Sequence, residues 1–153
     1  MICLCALSMS TLVGCMDKED DRMTNYVDLG LPSKTKWRAS NEGDRLYDYS
    51  EAMKKYGAHL PTEQQWEELL EECLWTWTGK GYKVTGPNKK SITLPAGGYR
   101  ICEGNVYYVG LTGRYWSQSS DGEEKAVSMN FNSGARRIYS SYRCYGFSVR
   151  LVM

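Results

Sequence analysis

The chain has 153 residues, of which 42% are hydrophobic, and a formal net charge of +1 at pH 7. This length suffices for one domain with a real core, and the near-neutral charge gives no strong field that would favour nucleic acid. Residues 96–153 contain seven basic and four acidic side chains. The positive excess therefore lies in the C-terminal third.

The N-terminal stretch MICLCALSMSTLVG (1–14) is almost wholly apolar and uncharged. It suits the hydrophobic region of a secretory signal and is too short to span a bilayer as a helix. It ends in LVGC (12–15), which resembles the bacterial lipobox, where small residues precede a cysteine whose thiol takes a lipid. We therefore predict a lipoprotein signal peptide over 1–14 and lipidation at Cys15. An ordinary signal peptide or a buried apolar strand is the alternative.

The next stretch, MDKEDDRMTN (16–25), is strongly charged. Such a run cannot bury enough apolar area to fold, so residues 15–24 are predicted to form a flexible tether behind the lipid. The lysine and the acids at 18–21 resemble the export signal of surface-exposed lipoproteins in Bacteroidales-type bacteria. This resemblance implies an outer-membrane, surface-exposed protein whose membrane contact is the lipid anchor alone; a solvated charge run is the alternative.

Residues 25–153 are predicted to form a single domain with few helices. A short helix is expected at 48–57. A clearer helix follows Pro61, because Thr62 as N-cap and Gln65 three residues later form a capping box. Its apolar stripe at i, i+3, i+4 and i+7 consists of Trp66, Leu69, Leu70 and Cys73.

Most of the remaining chain is predicted to form short strands bounded by glycine. Alternation is clearest in 124–132, where Val127, Met129 and Phe131 share one face. One helical layer beside antiparallel strands and long Gly-rich loops indicates an α+β fold. The predicted extended segments are 26–33, 35–40, 81–86, 91–100, 113–119, 124–132, 135–140 and 146–152.

Three cysteines remain once the signal peptide is removed and Cys15 is lipidated: Cys73, Cys102 and Cys144. In an oxidising compartment one pair could close, and the spacing does not say which. Cys73 on the apolar helix stripe is predicted to be a small core residue with a raised thiol pKa. With no CxxC pair and a single histidine, His59, no zinc site or other cofactor is expected.

Five distinctive blocks occur in order along the chain: YVDLGLPSKTKW, LPTEQQWEELLEEC, WTWTGKGYKVTGPNKKSITLPAGGYR, GRYWSQS and YGFSVRLV. Together they resemble the Fibrobacter succinogenes major paralogous domain of Bacteroidetes lipoproteins. The resemblance covers Tyr26 to Val152 and implies a fold similar to the C-type lectin and formylglycine-generating enzyme folds. In those folds the N- and C-terminal strands pair and long loops carry the function.

Neither relative's chemistry is expected here. Formylglycine-generating enzymes bind copper with two closely spaced C-terminal cysteines. Here Cys144 lies about forty residues from Cys102 and has no nearby base. We therefore predict no enzyme activity. Calcium-dependent lectin sites use Glu-Pro-Asn or Gln-Pro-Asp followed by Trp-Asn-Asp. Here Trp116 is followed by Ser-Gln, so no metal site is predicted.

Seven of the twelve tyrosines fall in residues 96–153, together with Ser, Asn, Gly and Arg. This composition is typical of paratopes, where stiff amphipathic rings supply contact area and small polar residues adapt hydrogen bonds. A solvated sheet face is the alternative. Tyr115, Trp116, Tyr145 and Phe147 are expected in the core, and residues 121–124 in an exposed turn. The predicted ligand-binding residues are Asn105, Tyr107, Tyr108, Arg114, Gln118, Ser120, Asn130, Arg136, Arg137, Tyr139, Tyr142 and Arg143.

The sequence therefore predicts a surface-anchored module that binds an extracellular protein or glycan without calcium, and does not bind nucleic acid. The C-terminal composition also resembles the variable lectin-fold proteins of diversity-generating retroelements. The alternative hypothesis is a structural subunit of a cell-envelope or pilus-like assembly, in which the tyrosines pack between subunits.

Overall fold

The computed structural model of the protein describes residues 25–153. The predicted signal peptide (1–14), the lipidation site Cys15 and the tether (15–24) lie outside the described residues. Two α-helices and ten short strands occur within 25–153, so the predicted α+β class is confirmed. The C-type lectin-like assignment stays a prediction.

Both helices form where the sequence predicts them. Helix α1 spans Tyr49–Tyr56 and helix α2 spans Glu63–Glu72, with a 3-10 turn over Gly57–His59 between them. The strands are β1 (Tyr26–Asp28), β2 (Lys36–Arg38), β3 (Leu74–Trp77), β4 (Gly81–Thr85), β5 (Ser91–Pro95), β6 (Tyr99–Arg100), β7 (Val106–Tyr107), β8 (Gly113–Asp121), β9 (Lys125–Asn132) and β10 (Ala135–Tyr142).

The strands form four small antiparallel sheets, ordered β1-β2, β3-β4-β5, β6-β7 and β10-β9-β8. The predicted segment 91–100 is divided into β5 and β6 because the chain turns at Gly98, which has a φ of +69°. A side chain there would also collide with the backbone of Tyr107. Strands β3 and β7 were not predicted.

The predicted strand over 146–152 is wrong. This segment makes isolated bridges to four different parts of the chain instead of one continuous ladder, because no single strand runs beside it. Its partners are Arg100 for Gly146, Tyr47 for Phe147, Tyr115 for Ser148 and Trp37 for Val152. At its end, Met153 and Lys36 exchange backbone hydrogen bonds of 2.9 and 3.0 Å, so the C-terminus pairs with β2 near the start of the described chain.

Two hydrophobic clusters pack on opposite faces of the sheet that contains β8. Successive side chains of a strand point to opposite faces, so Tyr115 joins the cluster that contains Trp37 and Trp66, whereas Trp116 joins Phe147. The ring centroids are 4.7 Å apart for Trp37–Trp66 and 4.2 Å for Trp116–Phe147. The core prediction is confirmed for Tyr115, Trp116 and Phe147.

Helix α2 buries the apolar stripe that defines it. Trp66 and Leu69 are fully buried, while Leu70 and Cys73 are half-buried against the same cluster. Cys73 follows the last helical residue as the C-cap. Burial, followed by the neighbouring Glu68 carboxylate, raises the pKa of the Cys73 thiol to about 11, as predicted for an unreactive thiol.

The capping box of α2 gives the first testable prediction. The Thr62 hydroxyl accepts the Gln65 backbone N–H at 3.1 Å, and the Gln65 side chain accepts the Thr62 N–H at 2.9 Å. Because Thr62→Ala leaves a helix-terminal N–H unpaired, we expect it to lower the free energy of unfolding by about 1 kcal/mol. Urea unfolding monitored by tryptophan fluorescence measures the change. Thr62→Ser keeps the hydroxyl and should retain most of the stability; equal losses in both variants would contradict the cap.

Arg150 is a buried charge that joins three segments near the C-terminus. Its guanidinium donates to the carbonyl oxygens of Arg38 at 2.9 Å, Ala39 at 3.2 Å and Thr93 at 2.5 Å, and to the Asn41 side chain at 2.9 Å. Burial lowers the pKa of Arg150 to about 10, so the side chain is still charged at neutral pH. It therefore connects the C-terminal segment with β2 and β5.

Candidate binding site

The β8-β9-β10 sheet carries a groove of about 520 Å³, which we call the sheet groove. Five of the twelve predicted ligand-binding residues line it, and they come from all three strands. The five are Arg114, Asn130, Arg137, Tyr139 and Tyr142. Its other lining residues are Thr112, Lys125, Phe131, Asn132, Ala135, Ser140, Ser141 and Tyr145.

Strand register brings the central polar residues together. Asn130 on β9 lies opposite Arg114 on β8 and opposite Arg137 on β10. Directly opposed residues have Cβ atoms about 5 Å apart and project from the same face. Arg114, Asn130 and Arg137 therefore form a polar row across the sheet, with an arginine at each end.

Each cation of the sheet groove lies over a tyrosine ring. The guanidinium carbon of Arg114 is 3.6 Å from the centroid of Tyr99. Lys125 Nζ is 4.9 Å from the Tyr142 ring, and the Arg137 guanidinium is 5.8 Å from the Tyr139 ring. A ring face attracts a cation and fixes its position without cancelling its charge.

The ion pairs of the described residues lie elsewhere. Arg38 pairs with Glu42 at 3.2 Å, and Glu51 interacts with Arg45 at 2.7 Å and with Arg100 at 4.0 Å. Among residues 25–153, no acidic side chain lines the sheet groove or forms an ion pair with its three cations. Asp121 lies directly opposite Lys125 in the β8-β9 register and accepts a hydrogen bond from the lining residue Ser140. Arg114 and Arg137 are therefore the two charges of the sheet groove that no carboxylate neutralises.

Five tyrosines connect the sheet groove with the loop after β7, and we call them the tyrosine cluster. Tyr99 lies at the centre, with ring centroids 6.4 Å from Tyr107, 6.0 Å from Tyr108 and 6.2 Å from Tyr145. Tyr145 in turn lies 6.2 Å from Tyr142. The predicted residues Tyr107 and Tyr108 are therefore connected with the sheet groove through Tyr99, whose ring also contacts the Arg114 guanidinium.

A disulfide between Cys102 and Cys144 joins the two chain segments that bear this cluster. The two Cα atoms are 5.0 Å apart, and next to them Arg100 and Gly146 exchange backbone hydrogen bonds of 2.9 Å each. Of the alternatives that the spacing left open, the pairing of Cys102 with Cys144 is the one found. Cys73 is the free cysteine among the described residues.

Three predicted ligand-binding residues have internal partners instead. The Gln118 amide donates to the carbonyls of Leu60 at 2.8 Å and Ala58 at 3.3 Å, so it holds the segment before α2. Arg143 donates to the Ser120 hydroxyl at 2.6 Å and to carbonyls of the β8-β9 turn. Gln118, Ser120 and Arg143 are therefore engaged within the fold and do not line the sheet groove.

Arg136 and Asn105 lie apart from the sheet groove. Arg136 projects from the opposite face of β10, with its guanidinium 5.6 Å from the Trp75 ring centroid and 5.3 Å from that of Tyr82. Asn105 is exposed in the turn between β6 and β7, where its carbonyl accepts the Ile101 N–H. The turn predicted at 121–124 is exposed, although β8 extends to Asp121.

Sequence reasoning missed three members of the site. Tyr145 was expected in the core but is half-buried and lines the sheet groove. Lys125 was not selected, although its position opposite Tyr142 follows from the β9-β10 register. Tyr99 lies just inside the tyrosine-rich segment, and only its contact with Arg114 places it in the candidate site.

A second hollow of about 770 Å³ lies beside Arg150. Its arginines already have partners: Arg150 bonds to backbone carbonyls, while Arg45 and Arg100 face Glu51. Asp44 also lines it. Because its arginines already have hydrogen-bond or ion-pair partners, this hollow offers a ligand fewer free donors than the sheet groove does.

The described part of the chain contains neither a membrane-spanning helix nor a metal-binding cluster. No helix between residues 25 and 153 has the length and apolarity needed to cross a bilayer. No group of three or more His, Cys, Asp or Glu side chains in the same residues could hold a metal ion.

Residues 77–152, just under half of the chain, match the model of a family described as a domain of unknown function, DUF8237. The matched segment contains every lining residue of the sheet groove and both cysteines of the disulfide. No curated protein and no solved structure gives a significant match to the chain.

Proposed function

We propose that the protein is a lipid-anchored binding module of the outer-membrane surface, and that its sheet groove recognises an extracellular protein or glycan ligand without calcium. The observation that carries the proposal is the polar row of Arg114, Asn130 and Arg137, flanked by tyrosines and open to solvent. Rigid rings beside adaptable polar groups are the chemistry of recognition surfaces.

The disulfide supports an extracytoplasmic location. Cys102 and Cys144 pair across a sequence separation of 42 residues, and such bonds persist in oxidising compartments but are rare in the cytosol. This agrees with the predicted signal peptide and lipidation at Cys15. A C-type lectin-like module with a diversified C-terminal face, as in retroelement target proteins, is part of the same proposal.

An array experiment tests the proposal directly. We expect detergent-solubilised full-length protein to show saturable, EDTA-insensitive binding on glycan or surface-protein arrays, and Arg137→Ala or Tyr142→Ala to reduce it at least tenfold. A tenfold loss equals about 1.4 kcal/mol, close to the lower end of the contribution of a hydrogen bond to a charged group. Arg136→Ala is the matched control because it removes the same charge from the opposite face of β10. Equal losses in Arg136→Ala and Arg137→Ala would contradict the proposal.

A structural subunit of a cell-envelope assembly is the second candidate, and the free edge of β10 favours it. β10 has eight residues and pairs with β9, and no other strand of residues 25–153 lies against its outer edge. Unpaired edges bind strands of other chains. Sedimentation velocity over a hundredfold range of protein concentration tests this second function. Oligomers that Tyr142→Ala weakens would support assembly. A monomer at every concentration would contradict it.

A further inference from the structure

We infer that the ligand of the sheet groove is an acidic carbohydrate, held by its carboxylate or sulfate groups through Arg114, Lys125 and Arg137. This inference rests on the proposed binding function and adds the chemical class of the ligand.

Arg114 and Arg137 carry charges that no carboxylate balances. They stand at the two ends of one cross-strand row, two strand spacings or about 10 Å apart at the backbone. Lys125 lines the same groove at the other end of β9. Like charges in one concavity repel one another and concentrate anions there. A bound anion relieves this repulsion, and a neutral ligand does not.

The cations of the sheet groove have free hydrogen-bond donors. No side-chain hydrogen bond joins Arg114, Lys125 or Arg137 to another of residues 25–153, and Arg114 Nε is buried without a partner. A guanidinium that lies over a ring keeps its in-plane N–H groups available, and these match the two oxygens of a carboxylate or sulfate. The tyrosines thus position the donors in advance, which reduces the ordering cost of binding.

The polar groups of the sheet groove favour carbohydrate over peptide. The sheet groove presents the Asn130 amide and the hydroxyls of Tyr139 and Tyr142. The Asn130 Oδ1 already accepts the Ser128 hydroxyl at 3.1 Å, so its amide N–H groups are the ones available. Amides and hydroxyls both donate and accept, as the ring hydroxyls of a sugar require. Phe131 also lines the sheet groove but is 3% exposed, so it contributes little apolar surface for a peptide side chain. The volume of about 520 Å³ falls within the range of small-ligand sites.

Paired oligosaccharides test the inference by isothermal titration calorimetry with the full-length protein in detergent. The probes are trigalacturonic acid with its uncharged methyl ester, a sulfated galactan tetrasaccharide with its unsulfated counterpart, and hexaglutamate. We expect at least one acidic oligosaccharide to bind, its uncharged partner to bind at least tenfold more weakly, and affinity to fall between 50 and 200 mM NaCl because salt screens the contact.

Two substitutions on one strand provide the matched comparison. Arg137→Gln should weaken binding of the acidic sugar about tenfold, whereas Arg136→Gln, which removes the same charge from the opposite face, should change it less than twofold. Any of three results would overturn the inference: equal affinity for the charged and uncharged oligosaccharides, binding of hexaglutamate alone, or no binding of any probe. A protein ligand found on the arrays and lost in Arg137→Ala would leave the proposed binding function standing, so the two failures are distinguishable.

Discussion

Replacing Arg150 by leucine is expected to lower the free energy of unfolding by about 4 kcal/mol, the largest effect of any single substitution considered for this protein. The guanidinium satisfies the carbonyl oxygens of Arg38, Ala39 and Thr93 from one buried position. Leucine would leave all three acceptors without this donor, and an unpaired buried polar group costs about 1 to 3 kcal/mol. Urea unfolding followed by tryptophan fluorescence measures the loss.

The lowered pKa of Arg150 shows that burial of its charge itself carries a cost. The stabilisation therefore comes from the number of hydrogen bonds. Arg150→Lys should be nearly as damaging, because an ammonium cannot reach the three carbonyls and the Asn41 side chain together. Arg136→Leu is the control, since that side chain is exposed and bonds to no carbonyl. A change below 1 kcal/mol in Arg150→Leu would contradict the account of this residue.

Removing the disulfide is expected to cost roughly 4 kcal/mol by chain entropy, because the bond closes a loop of about 42 residues in the unfolded chain. We expect the double variant Cys102→Ser, Cys144→Ser to unfold at a clearly lower urea concentration than the oxidised protein. Because the bond holds the loop of Tyr107 and Tyr108 against the turn of Tyr145, the variant should also bind ligand more weakly.

Thiol counting provides the control for this prediction. Among the described residues the native protein should expose no fast-reacting thiol, because Cys73 is half-buried and its pKa is raised to about 11. Cys73→Ser should leave the effect of a reducing agent unchanged. Identical unfolding curves with and without reductant, or rapid alkylation of Cys102 or Cys144 in the native protein, would contradict the pairing.

Local signals of the sequence predicted local structure well. Thr62 and Gln65 lie three residues apart, so the capping box depends on neighbours alone and could be read directly. Strands β3 and β7, with four and two residues, are too short for alternation to identify them. Segment 146–152 alternates like a strand, but alternation does not reveal whether a partner strand runs alongside it.

The candidate site could be predicted only in part, because strand register and long-range contacts decide which residues it contains. Composition identified Arg136 and Arg137 equally, and only the β9-β10 register places them on opposite faces. Gln118 and Arg143 have the residue types of a binding surface, yet their partners are carbonyls from distant parts of the chain. Long-range contacts of this kind cannot be predicted from the spacing of residues in one sequence.

The central claim is that the sheet groove is the binding site, and an NMR titration tests it most directly. Full-length protein labelled with nitrogen-15 would be titrated in detergent with trigalacturonic acid. We predict that the largest shifts occur at the backbone amides of Arg114, Asn130, Arg137 and Tyr139, with small shifts at Trp75 on the far side of the sheet. Shifts centred on the second hollow beside Arg150, or no shifts at millimolar ligand, would contradict the account.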